Sequence, residues 1–221
     1  MPYTYDYPHP AVTVDIVIFT IEDDDLKILL IQRGNEPFKG KWALPGGFVE
    51  IDESLRRAAW RELKEETGVN AAFLEQFGAF GHPDRDPRER IITIAYYALI
   101  PAERLEIKAD SDAQDARLFS MNDLPELATD HPKILRRALE RVQEKIDDPV
   151  IALQLVPAEF TLTELQRVHE RILGISLDKR NFRKKMLALD LVESTGGKRR
   201  DGRHRPASLY RAKDPADVPY R

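Results

Sequence analysis

The sequence predicts an α/β protein in two parts. Residues 1–149 read as a domain of strands and two helices, and residues 150–221 as a smaller helix-turn-helix followed by a hairpin wing. Three observations predict it. Short apolar runs alternate with amphipathic segments in the first part, while helical periodicity and a basic hairpin fill the second. Charge reverses between them: residues 152–221 hold 15 Lys and Arg against 9 Asp and Glu, a balance of +6, which leaves −10 for residues 1–151. Finally, one 23-residue segment, Gly47 to Val69, carries charged residues and glycines at a spacing that neither a plain helix nor a plain loop requires.

In the first part, Val12–Thr20 (VTVDIVIFT) and Leu26–Arg33 (LKILLIQR) are strand-like and flank the polar turn Glu22-Asp23-Asp24-Asp25. Trp42-Ala43-Leu44-Pro45 leads to Gly46-Gly47, which predicts a tight loop rather than a strand and a backbone that a ligand can approach. A helix follows from about Glu53 to Thr67, with Asp52 or Ser54 as its cap and Leu55, Ala58, Ala59 and Leu63 on its apolar face. Strands are expected at Ala72–Ala79, Arg90–Leu99 and Ala116–Phe119. Pro132–Ile146 then forms a helix with Ile134, Leu135, Ala138, Leu139 and Val142 inward. Trp42, Phe38, Tyr96 and Tyr97 are of a type that stacks on a base, but core packing is the better reading for most of them.

Asp147-Asp148-Pro149 ends that helix, and Val150–Phe160 reads as an extended connector at the domain boundary. Thr161 and Glu164 form a capping pair for a helix whose stripe is Leu162, Leu165, Val168 and Ile172. After the Gly174-Ile175-Ser176 turn, Asp178 caps a second helix that carries Lys179, Arg180, Asn181, Arg183 and Lys184. Short strands at Leu191–Ser194 and Ser208–Arg211 flank a basic stretch with Lys198, Arg199, Arg200, Arg203 and Arg205. A helix-turn-helix with such a wing suits duplex DNA, the second helix in the major groove and the wing at the backbone or minor groove. A basic hairpin beside a small helical lid leaves a similar local pattern.

The chemistry sits in Gly47–Val69. Glu62, Glu65 and Glu66 stand at i, i+3 and i+4, so three carboxylates share a helix face. Like charges that close repel unless arginines or a cation neutralise them, and hard oxygen ligands suit Mg²⁺ or Mn²⁺. The whole segment fits G-x5-E-x7-R-E-U-x-E-E-x-G-U, U being aliphatic, a match expected by chance with probability on the order of 10⁻⁷. It resembles the Nudix box, complete at every position. The resemblance implies a Nudix α/β/α sandwich and hydrolysis of a nucleoside diphosphate linked to another group. It makes Glu62 and Glu66 the first metal ligands, Glu65 a third and the Gly47 carbonyl a fourth, with Arg61 and Glu53 as the ion pair that orients them.

The resemblance continues outside the box. Phe80–Ile100 (FGHPDRDPRERIITIAYYALI) and residues 176–187 (SLDKRNFRKKML) are similar to the Nudix-related transcriptional regulators, which join a Nudix domain to a winged helix. That group implies ADP-ribose or a pentose as effector, control of NAD salvage or sugar-use genes, and a homodimer. Many members have eroded boxes; this one is intact. The reading is therefore a Mg²⁺-dependent hydrolase of ADP-ribose or a related nucleoside diphosphate sugar, fused to a duplex-DNA-binding domain. The alternative is a non-catalytic regulator that senses such a ligand. His82, Asp84, Arg85, Asp86, Arg88 and Arg90 form a polar stretch suited to phosphate and ribose, or equally a self-satisfied loop. Ser111, Asp112 and Asp115 fall in the loop where relatives often place a further carboxylate, a metal ligand or general base. There is no cysteine, no secretory-type N-terminus and no apolar run long enough for a bilayer, so a cytoplasmic protein is expected.

Overall fold

The structure is a computed structural model that describes residues 6–69, 73–107, 113–200 and 206–213. Strands β1 (Ala11–Glu22) and β2 (Asp25–Arg33) form a hairpin through Asp23 and Asp24, whose φ of 53° and 59° matches the right-handed twist of the strands. β3 (Trp42–Ala43) and β4 (Gly46–Phe48) precede helix α1 (Leu55–Thr67). β5 (Phe73–Phe80), β6 (Ile91–Leu99), a 3₁₀ turn at Ala102–Arg104, β7 (Ala113–Ser120) and α2 (His131–Lys145) complete the first part. One seven-stranded mixed sheet results, ordered β3-β2-β1-β6-β5, with β4 on β1 and β7 on β2. β1 runs parallel to β6 at its centre.

Both faces of β1 are buried. Val17 and Phe19 belong to a core shared with α2, whereas Ile16 and Ile18 pack with Ala58, Ala59 and Leu63 of α1. The sheet thus lies between helices, an α/β/α sandwich. Along one edge β1 changes partner: Thr13–Asp15 pair with β4, and Phe19–Glu22 pair with β2. That fork opens the cleft described below. Gly46 and Gly47 are therefore strand residues rather than a free loop. A Cβ on Gly46 would stand 2.1 Å from the Val14 carbonyl oxygen, so only glycine permits this pairing.

The expected extended connector is partly helical. Asp148 caps α3 (Pro149–Leu153) by accepting a hydrogen bond from Val150 N, and proline occupies its first turn. Ile151, Ala152, Leu155, Val156 and Phe160 are buried and continue the α2 core without a break into α4 (Leu162–Leu173) and α5 (Lys179–Ala188). Thr161 and Glu164 make the expected capping box, and Gly174 ends α4 in the left-handed region. The wing is β8 (Val192–Arg199) on β9 (Ala207–Ala212). β8 is longer than expected: Gly196, at φ 77°, and Gly197 form an irregularity inside the strand instead of ending it. Among the described residues no helix is long and apolar enough to cross a membrane.

Candidate functional site

Helix α1 delivers the box residues to one place. Ser54 caps its start by accepting from Arg57 N, and Gly68 stops it at φ 67°, donating to the Lys64 carbonyl. From the partly buried Arg61, Nη2 and Nε reach both oxygens of Glu53 at 2.8 and 3.3 Å. The expected ion pair is present as a two-point contact, and Glu53 also accepts from Glu50 N. Its carboxyl is held below the usual range, first by Arg61 and then by that backbone donor. Arg61 does more than expected: Nη1 donates to Glu62 at 2.6 Å and Glu65 at 3.3 Å, and Nη2 to the Phe48 carbonyl at 3.0 Å. Burial pushes the Glu62 carboxyl up, against the pull of Arg61.

Gly47 closes this arrangement. A Cβ there would lie 2.2 Å from Glu62 Oε1, so the carboxylate occupies the space a side chain would fill. Glu66, 6% exposed, is the inner member of the helix face, and Glu65 the outer one. The donors here are hard oxygens brought against a bare backbone, which fits a divalent cation in kind. Arg61 neutralises much of the charge, however, and among the described residues no three acidic or histidine side chains converge as they stand.

The cleft opens beside Gly46–Phe48, with a volume of about 210 Å³ and a lining that includes Asp15, Arg33, Arg85, Arg88 and His131. Arg85, expected as a ligand contact or as part of a self-satisfied loop, is turned inward with its side chain 5% exposed. It donates to Asp15 at 3.2 Å and to both oxygens of Asp130 at 3.0 and 3.3 Å. Its guanidinium is an anchor that ties its loop to β1 and to the start of α2. His131 Nδ1 accepts from Leu44 N at 2.9 Å, and burial depresses its basicity, so it is a neutral ring with Nε2 toward Asp15. Asp86 and Arg88 pair with each other, and Arg88 lies 5.9 Å over the Phe48 ring at the mouth. His82, Asp84 and Arg90 are exposed.

Asp15, Asp130 and His131 were not among the expected site residues. Asp15 had left a signal, as a charge inside the apolar run VTVDIVIF needs a buried partner. Asp115 is a strand residue of β7 opposite Gln32, paired with Arg117, rather than a loop acid. Ser111 and Asp112 lie outside the described residues. Tyr96 and Tyr97 are buried, and Trp42 packs edge-on against Phe119, so these rings serve the core.

On the winged helix, Lys179, Arg180, Asn181 and Lys184 are exposed along α5, as are Lys198 on β8 and Arg200 just after it. Arg183 is half-buried and donates to Thr163 of α4 at 3.3 Å. Arg199 turns to the protein: it donates to Glu164 Oε1 at 2.7 Å and to the Glu159 carbonyl at 2.8 Å. Arg203 and Arg205 lie outside the described residues. Between α4, α5 and the wing runs a groove of about 850 Å³.

Comparison with known proteins agrees with this architecture. The sequence pattern of the NUDIX domain matches residues 9–141, and that of the NrtR DNA-binding winged helix domain matches residues 152–212. The ADPR responsive transcriptional repressor NtrR of Acinetobacter baylyi is 42% identical over 93% of this chain and 83% of its own length. The chain belongs to the NrtR family of Nudix proteins. The NrtR structure from Shewanella oneidensis in complex with a 27mer DNA superposes with a TM-score of 0.82 at 39% identity, covering 91% of this chain and 93% of that one. The NUDIX domain of the same NrtR, solved with ADP ribose, has a TM-score of 0.58 at 37% identity, covering 62% and 94%. An ADP-ribose pyrophosphatase of Methanocaldococcus jannaschii is 48% identical over 59% of this chain and 73% of its own length. NrtR relatives and an ADP-ribose pyrophosphatase thus both resemble the first part.

Proposed function

We propose that this chain is a cytoplasmic regulator that binds duplex DNA through residues 150–221 and ADP-ribose or a related nucleoside diphosphate sugar through residues 1–149, and that it retains Mg²⁺-dependent hydrolysis of that ligand. The observation that carries the hydrolytic part is the Glu62 carboxylate set against Gly47 at the rim of the cleft, with every residue of the box in place. Glu62 and Glu66 would hold the cation, with Glu65 and the Gly47 carbonyl completing the set and Glu53 orienting them through Arg61. A divalent ion bound there supplies charge neutralisation for the diphosphate and a more acidic water. The residues of this chain do the rest: Arg61 fixes the helix face, Arg88 and Phe48 define the mouth, and the Asp15–Arg85–Asp130 tie holds the floor. The DNA part is supported by the exposed basic residues of α5 and β8 and by the NrtR winged-helix match. A homodimer is expected, since paired winged helices read paired half-sites.

A second reading, a sensor without turnover, is favoured by one observation. Arg61 bonds Glu62 and Glu65 directly, which leaves those carboxylates satisfied without a metal. One experiment separates the two: the purified chain is incubated with Mg²⁺ and ADP-ribose, NAD, sugar nucleotides or free pentoses. Products and the thermal transition are then measured in parallel. The hydrolase reading requires AMP and a ribose phosphate from ADP-ribose. A raised transition without products gives the sensor, about 2.7 kcal/mol of stabilisation at a hundredfold excess over Kd. A response to free pentoses alone removes the nucleotide from both.

A further inference from the structure

The wing is a two-stranded ribbon, a structure that is marginal in water unless something holds it. Near its base it is held well: Phe160 N donates to the Tyr210 carbonyl at 2.9 Å and Tyr210 N to the Phe160 carbonyl at 2.7 Å. Farther out, the ladder is interrupted between Ser194 and Lys198, where Gly196 and Gly197 remove both side chains and conformational restraint. Beyond that soft point only Lys198 opposite Ser208 and Arg199 opposite Ala207 continue the described ladder. The outer wing therefore needs a second support.

Arg199 is placed to give it. Its Nη1 reaches Glu164 Oε1 at 2.7 Å and its Nη2 the Glu159 carbonyl at 2.8 Å, across 35 and 40 residues of chain. The other oxygen of Glu164 already accepts from Thr161 N at 2.6 Å in the α4 capping box. A single carboxylate thus serves the helix start and the wing together. Lys198, the strand residue before Arg199, alternates to the opposite face, and both Lys198 and Arg200, just past the strand's end, are exposed.

We propose that Arg199 is a positioning residue, a strut that sets the outer wing against the N-terminus of α4, and that the wing's approach to nucleic acid is made by Lys198 and Arg200. This rests on the DNA-binding reading above and specifies how the wing serves it. The charge of Arg199, its side chain 37% exposed, is paired with Glu164 of the protein itself, and its fork geometry, which lysine lacks, is what the two divergent acceptors use.

The test uses the full chain and a fluorescein-labelled mixed-sequence duplex of about 30 base pairs, titrated over a range of salt. Replacing Lys198 or Arg200 with Gln should lower the slope of log affinity against log salt by about 0.9 each. Arg199→Lys keeps the positive charge, yet should weaken binding roughly three- to tenfold through the lost two-point bond. Glu164→Gln gives an opposed sign. It removes an acidic group beside the DNA face, which by electrostatics alone tightens binding, whereas the strut predicts weaker binding because one amide oxygen cannot serve both Thr161 N and Arg199. Hydrogen exchange without DNA is the second readout. In Arg199→Lys, amides at residues 198–199 and 207–208 should exchange faster while those of α4 and α5 hold. Wild-type affinity and exchange in Arg199→Lys, or tighter binding by Glu164→Gln, overturns the strut. If the wild type binds no duplex at low salt, the DNA reading fails instead, and the exchange result alone decides the strut.

Discussion

For Arg85 the sequence leaves two readings, a ligand contact and a self-satisfied loop, and its replacement by methionine separates an anchor from a ligand contact. Methionine keeps much of the aliphatic length and removes the guanidinium. Two carboxylates, Asp15 and Asp130, with side chains 11% and 13% exposed, would then face each other without their shared cation. Breaking a buried pair by removing one partner costs about 3–5 kcal/mol, since the remaining charge stays desolvated. For a chain of this size each kcal/mol lowers Tm by about 2–4 °C, so Tm should fall by roughly 6–20 °C. Differential scanning calorimetry at neutral pH reads this directly. The triple variant Arg85→Met, Asp15→Asn, Asp130→Asn should recover much of the loss, because amides carry no charge to bury and can bond to one another. A contact to ligand predicts the reverse, an unchanged Tm with lost nucleotide affinity. A fall of less than about 2 °C in Arg85→Met would refute the anchor, being too small for an uncompensated buried charge.

Glu66→Gln keeps the shape of the inner box residue and removes its charge, so divalent-metal affinity by calorimetry and any hydrolysis should drop together; full turnover in that variant rules out the metal assignment. Acid should destabilise the protein before its carboxylates titrate. His131 and His169 are both buried with their basicity depressed below 6.5, so the unfolded chain takes up protons that the fold refuses, and stability falls as pH drops from about 6.5 toward the lower folded values. Replacing both with Gln should flatten that limb of a urea-denaturation series, and an equally steep limb would discard the account. Glu53 acts lower still: its carboxyl is depressed, so its contribution is present above about 4.5 and is lost as pH falls through the folded value. Glu62 opposes it, since a carboxyl raised by burial costs stability as pH climbs past its usual value.

Most of the fold was legible because its signals are local. The apolar stripes of α1, α2 and α4 fall on buried or, at Leu55 and Leu139, partly buried positions, and the Thr161–Glu164 box and the Gly68 and Gly174 stops appear where spacing put them. What local pattern misjudged depends on distant chain. Gly46-Gly47 reads as a turn, yet β1 arrives beside it and recruits the same flexibility for close pairing. Val150–Phe160 looks extended because Pro149 precedes it and Pro157 interrupts it. Asp148 and Pro149 start a helix there, and the apolar residues continue the α2 core.

The site divides along the same line. Glu53, Arg61, Glu62, Glu65 and Glu66 are spaced within one loop and helix, so their meeting follows from 3.6 residues per turn and one ion pair of |i−j| = 8. The cleft floor brings Asp15, Arg85 and the adjacent Asp130 and His131 from three segments up to 116 positions apart, which no periodicity encodes. Composition could not distinguish arginines either. Arg85, Arg88 and Arg199 all stand in basic or mixed-charge stretches that suggest a surface waiting for an anion. Each instead has a carboxylate within 3.2 Å, and for Arg85 and Arg199 that partner is more than 30 residues away. Among the described residues of the second part, the positive side chains these pairs leave over include Lys179, Arg180 and Lys184 on α5, Lys198 on β8 and Arg200 just after it. An acidic first part repels DNA at long range, so the affinity and its salt dependence must come from the basic side chains of the second part.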